Sequence, residues 1–435
     1  MTVATRRDAL LGRLPPALRG HAALIGNAAS MMSTTLVTSL LGVVFWWVAA
    51  RYFSQEAVGI GSAAVSAMTL LGFAGSLGMG TLLMGELPRR PGGRRSLLDA
   101  ALAATTLTGA VAGLVFALLV PLFSAELESL GQSWAAALLF AGAVGLTSFA
   151  YVIDQSLIGM LRGRLQFARN CVFSVVKLAA LVPVAAAVAD PGATWIYAVW
   201  GGGIAASLLV LVRFYREGAG EPLRPDFSAL GALRGHAASH HGFNLALMAP
   251  SMVVPIVVVS MISADANASF YVAWMISGFI SMVPVSLATV LYAVASADPS
   301  RLTAQLRLTF AISFGVGLAA NLFLLPAAGP VLEIFGSEYA EQAVVPLHIL
   351  ALGVFPLTVK TAYVALQRVR RRTAAALPVA ILGTCLEVGG AALGAALTGD
   401  LTGVSWGWLA GVGLEVLMMG RPVLRALSVS GSGAP

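Results

Sequence analysis

A chain of 435 residues in which 58% of the residues are hydrophobic and 10% are charged is too apolar for a water-soluble globular protein, where about a quarter of the residues carry charge. Its mean hydropathy is +0.87, and apolar runs long enough to cross a bilayer make up most of the sequence. The net charge of +7 is therefore better explained by basic loops at a membrane surface than by a nucleic-acid-binding face.

The apolar runs predict twelve transmembrane helices, which we number as spans 1 to 12. Spans 1 to 4 lie near residues 23–50, 57–83, 97–123 and 134–161, and spans 5 and 6 end at Asp190 and Arg213. Spans 7 to 9 lie near residues 241–262, 268–295 and 306–327, and spans 10 to 12 end at Leu366, Asp400 and Arg425. The sequence thus predicts an all-α polytopic membrane protein.

The longest polar stretch of the chain divides these spans into two sets of six. It carries acidic residues and prolines and predicts a linker on the cytosolic side. We therefore predict an N-terminal lobe at residues 1–213, a linker at 214–234, a C-terminal lobe at 235–425 and a disordered Ser/Gly-rich tail at 426–435.

The two lobes open with the same seven letters, Ala-Leu-Arg-Gly-His-Ala-Ala, at residues 17–23 and 232–238. In a chain rich in Ala, Leu and Gly such a match can arise by chance. An internal duplication also explains why both copies precede a membrane span about half a chain apart. Because each lobe has an even number of helices, the two copies enter the membrane from the same side. This predicts lobes related by a pseudo-two-fold axis along the membrane normal.

The basic residues predict the orientation of the chain. With both termini placed inside, all of the 26 Lys and Arg residues except Arg51, Lys177 and Lys360 fall on the inner side. Since Lys and Arg are enriched in cytosolic loops, we predict a multi-pass protein of the inner (cytoplasmic) membrane with both termini in the cytosol.

The loops and motifs exclude several classes of enzyme. Every predicted outer loop is short, which leaves no extracytoplasmic domain for an active site. The sequence has no His-Glu-x-x-His helix, no Walker loop and no Gly-x-Gly-x-x-Gly between a strand and a helix. We therefore expect no catalytic residue, metal site or cofactor. The remaining functions are to move a molecule across the bilayer or to bind lipid.

Ionisable residues inside predicted spans are the first candidates for function, because a charge in a membrane is costly unless it faces a partner or a cavity. Asp154 and Lys177 lie at the same predicted depth on adjacent antiparallel spans, which predicts an ion pair. Lys360 either faces a cavity or snorkels to the inner surface. Glu387 lies nearest mid-membrane with no obvious basic neighbour, and Glu415 lies near the interface. The ion-coupling candidates are Asp154, Glu387 and Glu415.

Polar residues near the ends of spans 1 and 7 are candidates for substrate binding. Histidines at a vestibule can bind phosphate or respond to pH, although simple interfacial histidines are the alternative. Pro250 and Pro255 predict a bend in span 7. The candidate substrate-binding residues are Asn27, Arg51, Lys177, His240, His241, Asn244 and Lys360.

Two stretches carry a resemblance to a known family. One is Phe-Trp-Trp-Val-Ala-Ala-Arg-Tyr-Phe-Ser at residues 45–54, followed by Glu-Ala-Val-Gly at 56–59, and the other is Ile-Phe-Gly-Ser-Glu-Tyr-Ala at residues 334–340. They resemble polysaccharide flippases of the O-antigen and exopolysaccharide type in the multidrug/oligosaccharidyl-lipid/polysaccharide exporter superfamily.

The resemblance implies two lobes around a water-accessible cavity. It also implies a polyprenyl-diphosphate-linked oligosaccharide as cargo, turned from the inner to the outer leaflet for cell-surface polysaccharide biosynthesis. The implied partners are membrane lipids, glycosyltransferases and a polysaccharide polymerase.

We therefore expect a lipid-linked oligosaccharide flippase that works by alternating access, coupled to a proton or sodium gradient or to the membrane potential. One alternative is a cation-coupled multidrug exporter of the same fold. Another is a membrane scaffold that recruits glycosyltransferases and transports nothing.

Overall fold

The computed structural model describes residues 22–89, 94–188, 191–212, 225–227 and 234–428, and all regular structure in these ranges is helical. The N-terminal lobe consists of α1 (Ala22–Tyr52), α2 (Gln55–Gly75), α3 (Met79–Glu86), α4 (Arg94–Leu119), α5 (Trp134–Gly159), α6 (Gly163–Ala187) and α7 (Ala193–Ser207). The C-terminal lobe consists of α8 (Arg234–Met261), α9 (Ala264–Ala297), α10 (Leu302–Glu333), α11 (Ser337–Leu352), α12 (Val354–Val369), α13 (Thr373–Thr398) and α14 (Leu401–Ser428).

The helices follow the predicted spans with two interruptions. Span 2 is broken into α2 and α3 because Leu77 and Gly78 adopt left-handed conformations, with φ of 50° and 75°. Span 10 is broken into α11 and α12, which are bent by 40° at Gly353. Within the described ranges, ten helices are long and apolar enough to cross a membrane, and the bent pair adds an eleventh. Helix α1 occupies the place of span 1, and the part whose side chains are described is apolar from Val37 to Tyr52.

The two lobes are built alike, which confirms the prediction of an all-helical protein with two lobes. The first span of each lobe packs on the fifth (α1 on α6, α8 on α13), and the fifth packs on the sixth (α6 on α7, α13 on α14). The second span packs on the fourth in both lobes, as α2 and α3 on α5 and as α9 on α11 and α12.

The ends of corresponding helices repeat as well. Ser54 and Ser263 cap α2 and α9, and each hydroxyl accepts a hydrogen bond from a backbone N–H three residues later. Leu161 and Arg371, with φ of 58° and 54°, turn the chain from α5 into α6 and from α12 into α13. Because the two turns occupy equivalent places in the lobes, residues of α6 and α13 can be matched by counting from them. The repeated segments at residues 17–23 and 232–238 lie outside the residues whose side chains the structure describes.

The lobes meet where α2 packs against α8 and α9. Gly59 allows this approach, because a Cβ there would lie 1.8 Å from the carbonyl oxygen of Ala264. Next to it, the buried amide of Asn267 donates to the carbonyl oxygen of Gly59 at 2.8 Å and to Ser62 Oγ at 3.0 Å. These polar contacts in a packed interface fix the position of α2 on α9.

A second contact closes the bundle where α1 ends, which we call the Arg51 end. Arg51 Nη2 and Trp47 Nε1 donate to the carbonyl oxygen of Ile334, at 2.7 and 3.0 Å. This carbonyl follows the last turn of α10, where backbone acceptors lack helical donors. The N-terminal lobe thus holds the C-terminal lobe at the Arg51 end.

Helix α14 extends to Ser428, three residues into the predicted tail. The extension has a physical reason: Thr303 Oγ1 and Arg307 Nη2 donate to the carbonyl oxygens of Ala426 and Leu427, both at 3.0 Å. Most of the predicted linker lies outside the described residues, and the lobe boundaries remain predictions.

Candidate functional site

Helices α13 and α14 approach each other along a line of glycines, which we call the glycine seam (Gly390, Gly394, Gly403, Gly407 and Gly411). A Cβ at Gly407 would lie 2.0 Å from the carbonyl oxygen of Gly390, and a Cβ at Gly394 would lie 1.9 Å from that of Gly403. Small residues at such spacing let helix backbones pack closely in membranes. Because Glu387 precedes the seam on α13 and Glu415 follows it on α14, the seam brings both carboxylates together.

Lys360 of α12 completes a buried cluster with these two acids. Its ammonium donates to Glu387 Oε1 and lies 3.3 Å from Glu415 Oε1 and 3.1 Å from Glu415 Oε2. Trp408 Nε1 donates to Glu387 Oε2 at 2.8 Å. Gly353 makes room for this indole, since a Cβ there would lie 2.4 Å from the ring. Glu387 and Glu415 are 2% and 0% exposed, so water does not solvate their carboxylates and the Lys360 ammonium must compensate their charge.

One expectation about these residues is wrong, because Glu387 has a basic neighbour in Lys360. Lys360 turns toward the two acids and faces a cavity, which is the first of its two alternatives, and Glu415 is buried within the helix bundle. Sequence separation hid the cluster, because its members come from three helices. A usable signal was present: Gly403, Gly407, Gly411 and Glu415 recur every four residues, which places the acid on the glycine face of α14.

The cluster lies at one side of a cavity of about 420 Å³ in the C-terminal lobe, lined by α8, α9 and α12 with single residues of α13 and α14. Asn244 and Arg368 also line it, and Arg368 Nη2 donates to Asn244 Oδ1 at 2.9 Å. The structure therefore brings three candidate residues, Asn244, Lys360 and Glu387, to one cavity. Arg368 was missed because it was assigned to the loop after span 10.

The prolines of α8 shape another wall of this cavity. Pro255 has no N–H, which leaves the carbonyl of Ser251 without its helical donor, and Trp274 Nε1 donates to it at 3.2 Å. Pro250 likewise frees the carbonyl of Ala246, and Thr384 Oγ1 donates to it at 2.5 Å. Helix α8 thus continues through both prolines, and the two carbonyls that they leave free accept hydrogen bonds from side chains of α9 and α13.

The tryptophans of α9 and α14 pack against each other in this wall. The ring centroids of Trp274 and Trp408 are 4.9 Å apart, with the rings at 73°. Such edge-to-face contacts are favourable beyond the area they bury. This ring contact orients the indole of Trp408 so that its N–H donates to Glu387.

In the N-terminal lobe the predicted pair of Asp154 with Lys177 is wrong. Asp154 instead pairs with Arg169, whose Nε donates to Asp154 Oδ1 at 2.7 Å and whose Nη2 contacts Oδ2. Asn170 Nδ2 donates to the same carboxylate at 3.0 Å, and Arg169 Nη1 donates to Ser207 Oγ at 3.0 Å. Asp154 pairs with Arg169 rather than with Lys177 because the planar guanidinium donates to both carboxylate oxygens at once.

Lys177 lies in an aromatic cage. Its ammonium is 3.3 Å from the ring centroid of Trp200, 4.5 Å from that of Phe173 and 4.9 Å from that of Phe45. The side chain is 2% exposed. Contact of an ammonium with aromatic faces offsets part of its desolvation.

Two of the remaining substrate-binding candidates, Arg51 and His241, are not part of the lining of the C-terminal cavity. Arg51 is exposed and engaged in the contact described above. His241 stacks on Phe73 with centroids 5.1 Å apart, and its Nε2 lies 3.2 Å from the carbonyl oxygen of Ala74. The side chains of Asn27 and His240 lie outside the described residues.

Comparison with known proteins rests on the fold. No protein-family model matches the chain, and no curated protein matches it. Among solved structures, an inward-facing multidrug resistance MATE family transporter of the MOP superfamily superposes with a TM-score of 0.68 at 14% identity, over 90% of this chain and 96% of that chain. The chain has the fold of the MATE transporters.

Two further solved structures each cover 94% of the chain. The outward-facing form of a multidrug resistance MATE transporter superposes with a TM-score of 0.61 at 14% identity, over 94% of this chain and 96% of that chain. A MOP superfamily transporter from Pyrococcus furiosus, described as having a binding pocket of reverse polarity, gives 0.61 at 15% identity over the same shares. The likeness extends over both lobes.

Proposed function

We propose that the protein is a MATE-fold transporter that works by alternating access and couples transport to proton movement at the Lys360–Glu387–Glu415 cluster. The observation that carries this proposal is the cluster itself, two carboxylates and one ammonium buried beside a cavity in the C-terminal lobe. Buried charges of this kind in membrane proteins mark ion and substrate pathways.

The charge of the cluster supports proton coupling. With all three groups ionised, it carries one net negative charge in an interior that disfavours uncompensated charge. Uptake of one proton by either carboxylate neutralises it. Lys360 Nζ already lies against an oxygen of each carboxylate, where a sodium ion would have to bind. The arrangement therefore favours a proton over sodium as the coupling ion.

The proposed cargo is a polyprenyl-diphosphate-linked oligosaccharide, moved from the inner to the outer leaflet. The two stretches that resemble polysaccharide flippases support this cargo, because they meet at the Arg51 end. Trp47 and Arg51 of the first stretch both donate to the carbonyl oxygen of Ile334, the first residue of the second. In this proposal the protein lies in the inner membrane with both termini cytosolic, beside glycosyltransferases and a polymerase.

A multidrug exporter is the second candidate. The C-terminal cavity is mostly apolar apart from its charged groups and has two tryptophans in its wall, Trp274 and Trp408. The two tryptophans suit a compact aromatic cation, because aromatic faces attract positive charge. Such a cargo would compete with the proton for the same negative charge.

The test uses the full chain in proteoliposomes with an imposed pH gradient and two cargoes, a fluorescent polyprenyl-diphosphate oligosaccharide and ethidium. We expect gradient-dependent movement of the lipid-linked sugar, lowered by about tenfold or more in Glu387→Gln and Glu415→Gln. Glu341→Gln removes an exposed acid of α11 and serves as the matched control.

Movement of ethidium alone would favour the drug exporter. If neither cargo moves, or if both glutamines can be introduced without effect, the proposed mechanism is refuted and a non-transporting scaffold becomes the better account. Reporter tags at both termini test the proposed orientation independently.

A further inference from the structure

Lys177 is a buried cation without a counter-ion. No ion pair or hydrogen bond to its ammonium occurs among the residues that the structure describes, and only aromatic rings face it. One turn earlier on the same face of α6, the buried hydroxyl of Ser174 also has no hydrogen-bond partner. Buried polar groups nearly always have partners, so two adjacent donors without an acceptor require an explanation. Together they complement an oxyanion.

The register between the lobes supports a functional role for this position. Lys177 lies sixteen residues after Leu161, the left-handed residue before α6. Glu387 lies sixteen residues after Arg371, the corresponding left-handed residue before α13. Their aromatic neighbours on the next helix also correspond: Trp200 covers Lys177, and Trp408 donates to Glu387. The place that holds a carboxylate of the C-terminal cluster thus holds a cation in the N-terminal lobe.

A clasp of aromatic rings between the lobes covers this cation. Trp46 of α1 lies 6.2 Å from Trp200, which covers Lys177, and 4.8 Å from Tyr271 of α9 in the other lobe. Trp46 also forms part of the wall of a second cavity, of about 270 Å³, between α1 and α9. Trp46 therefore borders this inter-lobe cavity on one side and contacts Trp200, the ring that covers the ammonium, on the other.

We propose that Lys177 and Ser174 form an oxyanion-binding site that Trp46 and Trp200 cap in this conformation, and that the cap opens when the lobes separate. Because Trp46 belongs to one lobe and Tyr271 to the other, any rocking of the lobes must move these rings relative to each other. The released ammonium then faces the inter-lobe cavity. The inference rests on the proposed function only for the source of the anion, a diphosphate or an acidic sugar of the cargo.

The experiment titrates pyrophosphate into the purified full chain in detergent and measures binding by calorimetry. A ligand binds more weakly when its site is open in only a fraction of the molecules, so uncapping a site that is closed about nine-tenths of the time tightens binding about tenfold. We expect this gain in Trp46→Ala and expect the wild-type affinity in Trp46→Phe, which keeps a ring. Adding Lys177→Met to Trp46→Ala should abolish the gain. Pyrophosphate that binds to the basic loops does so equally in all variants, so it does not affect the difference in affinity between them.

A tenfold gain that persists in Trp46→Ala/Lys177→Met would overturn the proposal. If Trp46→Ala does not fold, Tyr271→Leu removes the other half of the clasp, and absence of a gain there is equally contradictory. A parallel titration with glucuronate separates a carboxylate source from a diphosphate source. The titrations need no gradient, membrane or cargo, so their failure leaves proton-coupled transport standing, and failure of the transport assay leaves the oxyanion site standing.

Discussion

Replacing Lys360 with methionine removes the ammonium that lies between two carboxylates inside the C-terminal lobe. The side chains of Glu387 and Glu415 are 3% and 1% exposed, so neither carboxylate regains water when the ammonium is lost. Removing one partner of a buried ion pair costs about 3–5 kcal/mol, and we expect the free energy of unfolding of Lys360→Met to fall by about this amount at pH 8.

The measurement is unfolding by a titration with sodium dodecyl sulfate in mixed micelles at pH 8. The triple variant Lys360→Met/Glu387→Gln/Glu415→Gln should recover most of the loss, since buried charges replaced together cost little. Arg301→Met is the matched control, because it breaks an ion pair with Asp298 whose side chains are 67% and 46% exposed. Such pairs contribute at most about 1 kcal/mol. Equal losses in Lys360→Met and Arg301→Met would refute the reasoning.

Two further changes test the packing of the lobes. Gly407→Ala places a Cβ 2.0 Å from the carbonyl oxygen of Gly390, so we expect overpacking to lower the free energy of unfolding by about 1–3 kcal/mol in the same titration. Gly413→Ala, whose Cβ meets nothing within 4 Å, should be neutral, and equal effects would contradict the close seam. Arg51→Ala removes donors to the carbonyl of Ile334, so we expect the free energy of unfolding to fall by about 0.5–1.5 kcal/mol in the same titration; an unchanged value would show that this contact does not hold the lobes.

Hydropathy and charge patterns predicted the spans and the two lobes because these features depend on local sequence. The same patterns identified Lys360 and Glu387 as functional candidates, since ionisable groups are rare inside apolar helices. Pairing was less predictable. Arg169 was assigned to a loop at the end of span 4, although it lies inside α6 and takes the carboxylate of Asp154. Partner choice depends on helix rotation, which depth along the chain does not give.

Hydropathy also could not predict the interruptions of spans 2 and 10. Leu77 is an apolar residue in a left-handed conformation, which composition alone does not indicate. Gly353 is one of many glycines in this chain, and its special role follows only from the neighbouring indole of Trp408. Both features depend on tertiary contacts rather than on the residue type.

The glycine seam has a mechanical consequence for the coupling cluster. Backbone contact along α13 and α14 leaves these helices little room to move relative to each other, so the proposed mechanism requires Glu387 and Glu415 to stay together. Lys360 stands on a different support, because α12 begins at the 40° elbow of Gly353. In the proposed mechanism, proton uptake would therefore separate Lys360 from two acids that stay together, and the bend at Gly353 is where the structure would allow this movement.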